Sequence, residues 1–249
     1  MDKCLFGGIM DVENAVISTA ETDMEMRKKL EAIIDEDALN WIFEKRDSFL
    51  DLISYYRCAM MEVQTKLNVL NEEYSIRFAR NPIMSIKSRI KTIGSIQNKL
   101  QRKGLPFTLE SLQNNIYDVA GLRVICAFTE DVYSIAASLL SQDDVTLIEK
   151  RDYIENPKAN GYRSLHLIIE VPIFLASEKR KMKVEIQLRT VAMDCWASLE
   201  HQLRYKKNRE FTEEMANELM RCAIISAELD ERMNNLRRTV DALPVADDK

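Results

Sequence analysis

Residues 181–189, KMKVEIQLR, alternate apolar and polar side chains without a break. In an extended strand Met182, Val184, Ile186 and Leu188 point one way, and Lys183, Glu185, Gln187 and Arg189 the other. Such a strand requires a sheet with one apolar side, and the neighbouring sequence supplies partners for it. GLRVICAF (121–128), VTLIEKRDYI (145–154) and GYRSLHLIIEV (161–171, stopped by Pro172) read as strands. EDVYSIAASLLS (130–141) reads as a helix between them, and TVAMDCWASLEHQLRYK (190–206) as a helix capped by Thr190. Upstream the period is helical. Phe49, Ile53, Tyr56, Met60, Val63, Leu67, Leu70 and Tyr74 recur at steps of four and three within a helix over 41–74. Pro82 is expected to open a second helix near 84–103, ended by Gly104, and Thr108 a third reaching Tyr117. The expected fold is α/β (α+β): a central mixed sheet of about five strands flanked by N- and C-terminal helices.

Residues 1–22 read as a loose leader, 23–82 as an N-terminal helical flank and 208–249 as a C-terminal helix. That helix (212–241) carries Met215, Leu219, Cys222, Ser226, Leu229, Met233, Leu236 and Val240 at heptad spacing. The stripe suits packing on the same chain, for example on the 41–74 helix, or a contact between subunits. The net charge of −5 argues against wholesale coating of nucleic acid. The two histidines, His166 and His201, exclude a multi-histidine metal cluster, and five scattered cysteines without a CxxC pair fit free thiols in the cytoplasm. No apolar run is long enough for a membrane span.

Four stretches carry chemistry. Residues 81–109 contain no acid and six cations: Lys87, Arg89, Lys91, Lys99, Arg102 and Lys103. A solvated helix face usually mixes signs, so a one-signed cluster suits a polyphosphate. Asp118, between a helix and a strand, suits an open magnesium site, or a local salt bridge to Arg123. In NPKANGYRSLH, Tyr162 sits at a strand mouth where its ring could stack on a base. Gly161 permits close approach, and His166 shares a strand face with Ser164 and Glu170, near Arg151, Lys158 and Arg163. Glu185, if covered, must be paired or metal-bound, making it a candidate metal ligand, general base, or both. A single-stranded RNA-binding module using the 81–109 segment and the Tyr162 ring is the alternative, but carboxylates repel a phosphate backbone.

SRIKTIGSIQNKLQRKG, DVAGLRVICAF, KRDYI, KANGYRSLH and VEIQLRTVAMDCWASLEHQLRYK, in that order, resemble the synthetase domain of the RelA/SpoT family. The likeness covers about residues 83–207 and is strongest to the small stand-alone alarmone synthetases. It implies a nucleotidyltransferase-like fold and transfer of pyrophosphate from ATP to the 3′ hydroxyl of GTP or GDP, giving pppGpp or ppGpp and AMP. It also implies residue roles. Arg89, Lys91, Lys99 and Arg102 would hold the ATP phosphates, with Arg89 and Arg123 flanking adenine. Asp118 would bind Mg2+, and Glu185 would share the metal and help deprotonate the hydroxyl. Tyr162 would stack on guanine, Arg151, Lys158 and His166 would hold the acceptor phosphates, Gln187 would orient the acceptor, and Asp194 would meet the guanine edge. The chain has no His-Asp dipeptide, so synthesis without hydrolysis is expected. A homotetramer, with ppGpp or pppGpp as an allosteric ligand, is implied as well.

Overall fold

The structure, a computed structural model, describes residues 23–78, 80–204 and 211–243. The expected leader over 1–22 lies outside them. The described elements are, in chain order, α1 (Asp23–Glu31), α2 (Glu36–Glu44), α3 (Arg46–Phe78), β1 (Ile83–Ile90), α4 (Ile93–Arg102), α5 (Leu109–Asn115) and β2 (Ala120–Cys126). There follow α6 (Thr129–Leu140), β3 (Thr146–Asp152), β4 (Leu165–Phe174), β5 (Lys179–Thr190), α7 (Val191–Arg204) and α8 (Glu213–Asp241). The strands form one sheet in the order β1-β2-β5-β4-β3. The fold is the expected α+β one, a mixed five-stranded sheet with flanking helices. No helix among the described residues is long and apolar enough to cross a membrane.

Three local expectations fail. The helix expected over 41–74 is broken at Lys45, the C-cap of α2, and resumes as α3. The segment 83–90 is a strand, not the start of a helix. Its isoleucines at 83, 86 and 90 favour extended backbone, and β2 offers a ladder to pair with. The helix begins only after Thr92, whose hydroxyl accepts from the Ser95 N–H. Its far end matches: Gly104 adopts φ +67°, and the Leu105 N–H reaches back to the Leu100 carbonyl. The third failure is at Pro172, which lies inside β4 rather than ending it. The Tyr153 N–H donates to the Ser164 carbonyl, so β3 starts its pairing at the head of β4. With seven residues against ten, β3 runs out near Val171, and the missing proline N–H interrupts no bond on that side.

The chain divides into two compact units. One takes the described residues up to Glu62 with Ser88–Gly121 and Glu170–Glu185. Its buried side chains include Phe49, Leu52, Ile96, Leu100, Leu112, Ile116 and Val184, and Trp41, Phe49 and Phe107 form an aromatic cluster. The other takes Val63–Lys87, Leu122–Ile169 and the chain from Ile186 onward. Val63, Leu67, Val124, Ile135, Leu139, Leu165, Leu167, Ile169, Ile186 and Leu188 are buried there. Each fully buried aliphatic or aromatic side chain contributes roughly 1.5–3 kcal/mol. In this second unit α8 packs on α7 and α6. The Trp196 indole N–H donates to the Leu219 carbonyl, and Arg237 pairs with Glu130 and with fully buried Asp131. Of the expected heptad stripe, Leu219 packs against Trp196, Ala197 and Ala223, but Leu229, Met233, Leu236 and Val240 are 46–56% exposed, while Ala223 and Asn234 are the buried positions.

Candidate active site

In the first unit, the turn between α5 and β2 presents Asp118, and two cations clamp it. Lys91 Nζ lies 2.9 Å from Oδ2 and Lys99 Nζ 2.9 Å from Oδ1. Lys91 is fixed through its backbone, whose N–H donates to the Val119 carbonyl, and Lys99 by the last turn of α4. Burial works to raise the Asp118 pKa, but the hydrogen bonds and charges of Lys99 and Lys91 outweigh it and hold the carboxyl below its ordinary value. The Lys99 approach is skewed, so buried Oδ1 is without a well-aligned hydrogen bond among the described residues. Nearby burial, helped by the Asp118 charge, pushes the Tyr56 phenol up to about 12. Glu185 projects from β5, the hydrogen-bonded neighbour of β2 just beyond Asp118, and is half-buried. Two residues before it Lys183 sits over the Tyr117 ring, Nζ to centroid 4.1 Å.

A metal ion is implied here, and the donor set fits one. The described residues contain no cluster of three or more acidic, histidine or cysteine ligands. Magnesium ordinarily asks a protein for one or two carboxylates and takes its other ligands from water and substrate phosphates. An ionised carboxylate meets that demand, whereas a thiolate- or imidazole-seeking metal would find no ligand cluster among the described residues.

In the second unit, the loop between β3 and β4 is built for recognition. Gly161 has φ +88°, its N–H closes a turn on the Lys158 carbonyl, and Asn160 Oδ1 accepts from the Tyr162 N–H. The turn delivers Lys158 and Tyr162 into a cage of rings. Tyr153, Tyr162 and His166 meet edge to face at centroid distances of 5.2–6.0 Å, with Lys158 Nζ 4.6 Å from the Tyr153 centroid and 4.9 Å from that of Tyr162. The Tyr162 hydroxyl lies 2.8 Å from His166 Nε2. Buried Arg189 donates to the Tyr162 hydroxyl, to Gln187 Oε1 and to Asp194 Oδ1, and Asp194 also lies 3.4 Å from Arg123.

The candidate residues thus fall into two groups. Asp118, Lys91 and Lys99 form one cluster, with Glu185 in the same unit. Lys158, Tyr162, His166, Gln187 and Asp194 belong to a second cluster, and Arg123 joins it through Asp194. The local alternative, an Asp118–Arg123 bridge, does not hold: Asp118 pairs with lysines and Arg123 with Asp194. Arg89 is exposed on β1, Arg102 donates to the Asn98 carbonyl of its own helix, and Arg151 grips Glu149. The six cations of the 81–109 segment are therefore dispersed over a strand, a turn and a helix instead of one helical face. Tyr153, Tyr56 and Tyr117 were not anticipated. Tyr153 had a readable signal, an aromatic residue at the end of β3 facing a glycine-bearing loop; Tyr56 and Tyr117 become relevant only through tertiary contacts.

Comparison with known proteins places the chain in a family. Residues 88–210 match the model described as a region found in RelA / SpoT proteins. The chain is 43% identical over 186 residues to the GTP pyrophosphokinase YwaC of Bacillus subtilis, covering 75% of this chain and 89% of that one. The crystal structure of small alarmone synthetase 2 from Bacillus subtilis superposes with a TM-score of 0.70 at 40% identity, over 77% of this chain and 98% of that one. That of small alarmone synthetase 1 from the same organism, bound to its product pppGpp, superposes with a TM-score of 0.70 at 34% identity, over 78% and 98%. A family match over residues 88–210 and a relative 43% identical, covered over 89% of its length, show that the chain belongs to the RelA/SpoT family.

Proposed function

We propose that this chain is an ATP:GTP/GDP 3′-pyrophosphotransferase, a GTP pyrophosphokinase that makes pppGpp or ppGpp and AMP in the stringent response. The observation that carries the reading is Asp118, a largely buried carboxylate held ionised between Lys91 and Lys99 at 2.9 Å each. A nucleic-acid-binding face has no use for such an acid, while a polyphosphate enzyme needs both the cations and the carboxylate. Kinship to a GTP pyrophosphokinase and to a synthetase crystallised with pppGpp supports the same chemistry.

In this reading Lys91, Lys99, Arg89 and Arg102 neutralise the ATP phosphates, and Arg89 and Arg123 flank the adenine. Tyr162 stacks on guanine, Asp194 meets the guanine edge, Gln187 orients the acceptor, and Arg151, Lys158 and His166 bind its phosphates. Asp118 and Glu185 would hold Mg2+, which would offset phosphate charge and acidify the acceptor hydroxyl. Glu185 takes the proton of the 3′ hydroxyl. The freed oxygen bonds to the ATP β-phosphorus, the bond from that phosphorus to the oxygen bridging it to the α-phosphorus breaks, and AMP departs with the bridging oxygen. Two triphosphates repel one another, so most of the catalytic task is positioning and charge compensation. No His-Asp pair occurs in the chain, consistent with synthesis without hydrolysis.

The exposed apolar stripe of α8 supports a homo-oligomer, which we read as the tetramer of the small synthetases, working in the cytoplasm. Incubating the chain with Mg2+, ATP and either GTP or GDP, and resolving the nucleotides, tests the reading. AMP and the corresponding alarmone are expected in equal amounts; AMP without alarmone, or no turnover, contradicts it.

A further inference from the structure

Arg189 stands at the C-terminal end of β5, 4% exposed, and donates to three acceptor-side groups at once: the Tyr162 hydroxyl at 2.6 Å, Gln187 Oε1 at 3.0 Å and Asp194 Oδ1 at 3.2 Å. Its guanidinium carbon also lies 5.1 Å from the Tyr162 ring centroid. A buried cation is costly to desolvate, and its counter-charge here, Asp194, is shared with Arg123. Packing alone would be served as well by an apolar side chain. The arrangement is explained by what the guanidinium does to its neighbours.

We propose that Arg189 is the positioning residue of the guanosine-nucleotide site, its rigid fork holding the Tyr162 ring, the Gln187 amide and the Asp194 carboxylate in one register. This rests on the acceptor-site reading given above. Arginine can donate but never accept, so each contact has a direction. The Tyr162 oxygen accepts from Arg189, which leaves the phenolic proton for His166 Nε2 at 2.8 Å. The imidazole proton then sits on Nδ1, and one polarised chain runs from Arg189 through Tyr162 to His166. By the same logic Gln187 must turn its oxygen toward Arg189, so its amide N–H groups face the other way. A lysine carries the charge but not the planar fork, and cannot meet three acceptors in fixed directions.

The test is steady-state kinetics of Arg189→Lys, with KM measured separately for the guanosine acceptor and for ATP, each at saturating co-substrate. Acceptor KM should rise by roughly tenfold to a hundredfold, as for losing one or two charge-assisted hydrogen bonds. ATP KM should stay within about twofold. Combining Arg189→Lys with Tyr162→Phe should cost less than the product of the single effects, because both act through one contact. Equal rises in both KM values, an unchanged acceptor KM, or strictly multiplicative effects overturn the proposal. Should Arg189→Lys not fold, Tyr162→Phe removes one contact and Asp194→Asn the charge of another while keeping side-chain shape; an unaltered acceptor KM in both is equally contrary. Wild-type chain that makes no AMP overturns the parent reading, whereas active wild type beside an unaffected Arg189→Lys variant overturns this one alone.

Discussion

At the scale of single residues, Asp118 shows how environment makes a side chain competent. Burial alone would favour its neutral form, and a neutral acid binds magnesium poorly. Two lysines, at 2.9 Å each, reverse that preference. Asp118→Asn keeps the shape and removes the charge, leaving two cations facing an amide. We expect turnover to fall at least about a hundredfold, roughly 3 kcal/mol of barrier, with the far-ultraviolet circular dichroism unchanged. Glu185→Ala should behave alike; near-normal turnover in either variant removes that residue from the mechanism. A second prediction concerns thiols. Cys126 is fully buried, and burial pushes its pKa up to about 12, with the Asp131 charge adding to the effect. Its thiolate fraction at pH 8 is negligible, whereas Cys195 and Cys222 are exposed. Brief iodoacetamide treatment of native protein should label Cys195 and spare Cys126, as peptide mass spectrometry would show; labelling of Cys126 at the same rate contradicts its burial.

At the scale of elements, the acceptor loop depends on one glycine. A Cβ at Gly161 would lie 2.5 Å from the Ala223 Cβ of α8, and φ +88° is strained for any other residue. Gly161→Ala should cost about 1–3 kcal/mol and displace Lys158 and Tyr162 together, raising acceptor KM more than ATP KM. Ala223→Gly in the same chain should recover part of the loss, and a double variant no better than the single would indicate that the clash is elsewhere. The α6–α8 contact makes a stability prediction. Asp131 is wholly buried and held by Arg80, at 2.6 and 2.9 Å, and by Arg237. Asp131→Ala strands two arginines and should destabilise by about 3–5 kcal/mol in urea titration; a change under about 1 kcal/mol would mean the network carries no weight.

Elements also decide how much the sequence made legible. β5 was readable because strict alternation has no helical interpretation, and with it came Lys183, Glu185, Gln187 and Arg189 as one polar face. The expected caps at Thr108 and Thr190 accept the Ser111 and Met193 N–H groups, and Thr92 and Thr212 cap α4 and α8 in the same way without having been expected. β1 was misread since IMSIKSRI lacks helix breakers, and its strand state comes from pairing with β2. The ring cage, the Lys91–Asp118–Lys99 clamp and the three-way grip of Arg189 were beyond pattern reading. Apart from Gln187 and Arg189, which share a face of β5, they join residues from different elements, at separations that no period encodes.

At the scale of the whole molecule, the C-terminal part of α8 keeps an apolar stripe uncovered among the described residues. Leu229, Leu236 and Val240 are too exposed to serve a core. Light scattering after size exclusion should report four copies, and Leu229→Glu with Leu236→Glu should yield smaller species with the same circular dichroism; an unchanged mass would assign assembly to another surface. The most direct measurement of the central claim is product analysis by anion exchange after incubation with ATP and GDP, with and without Mg2+, for wild type and Glu185→Gln. The account predicts equal AMP and ppGpp from wild type with Mg2+, and neither from the variant or after chelation. Equal yields of ppGpp from wild type and Glu185→Gln would contradict it.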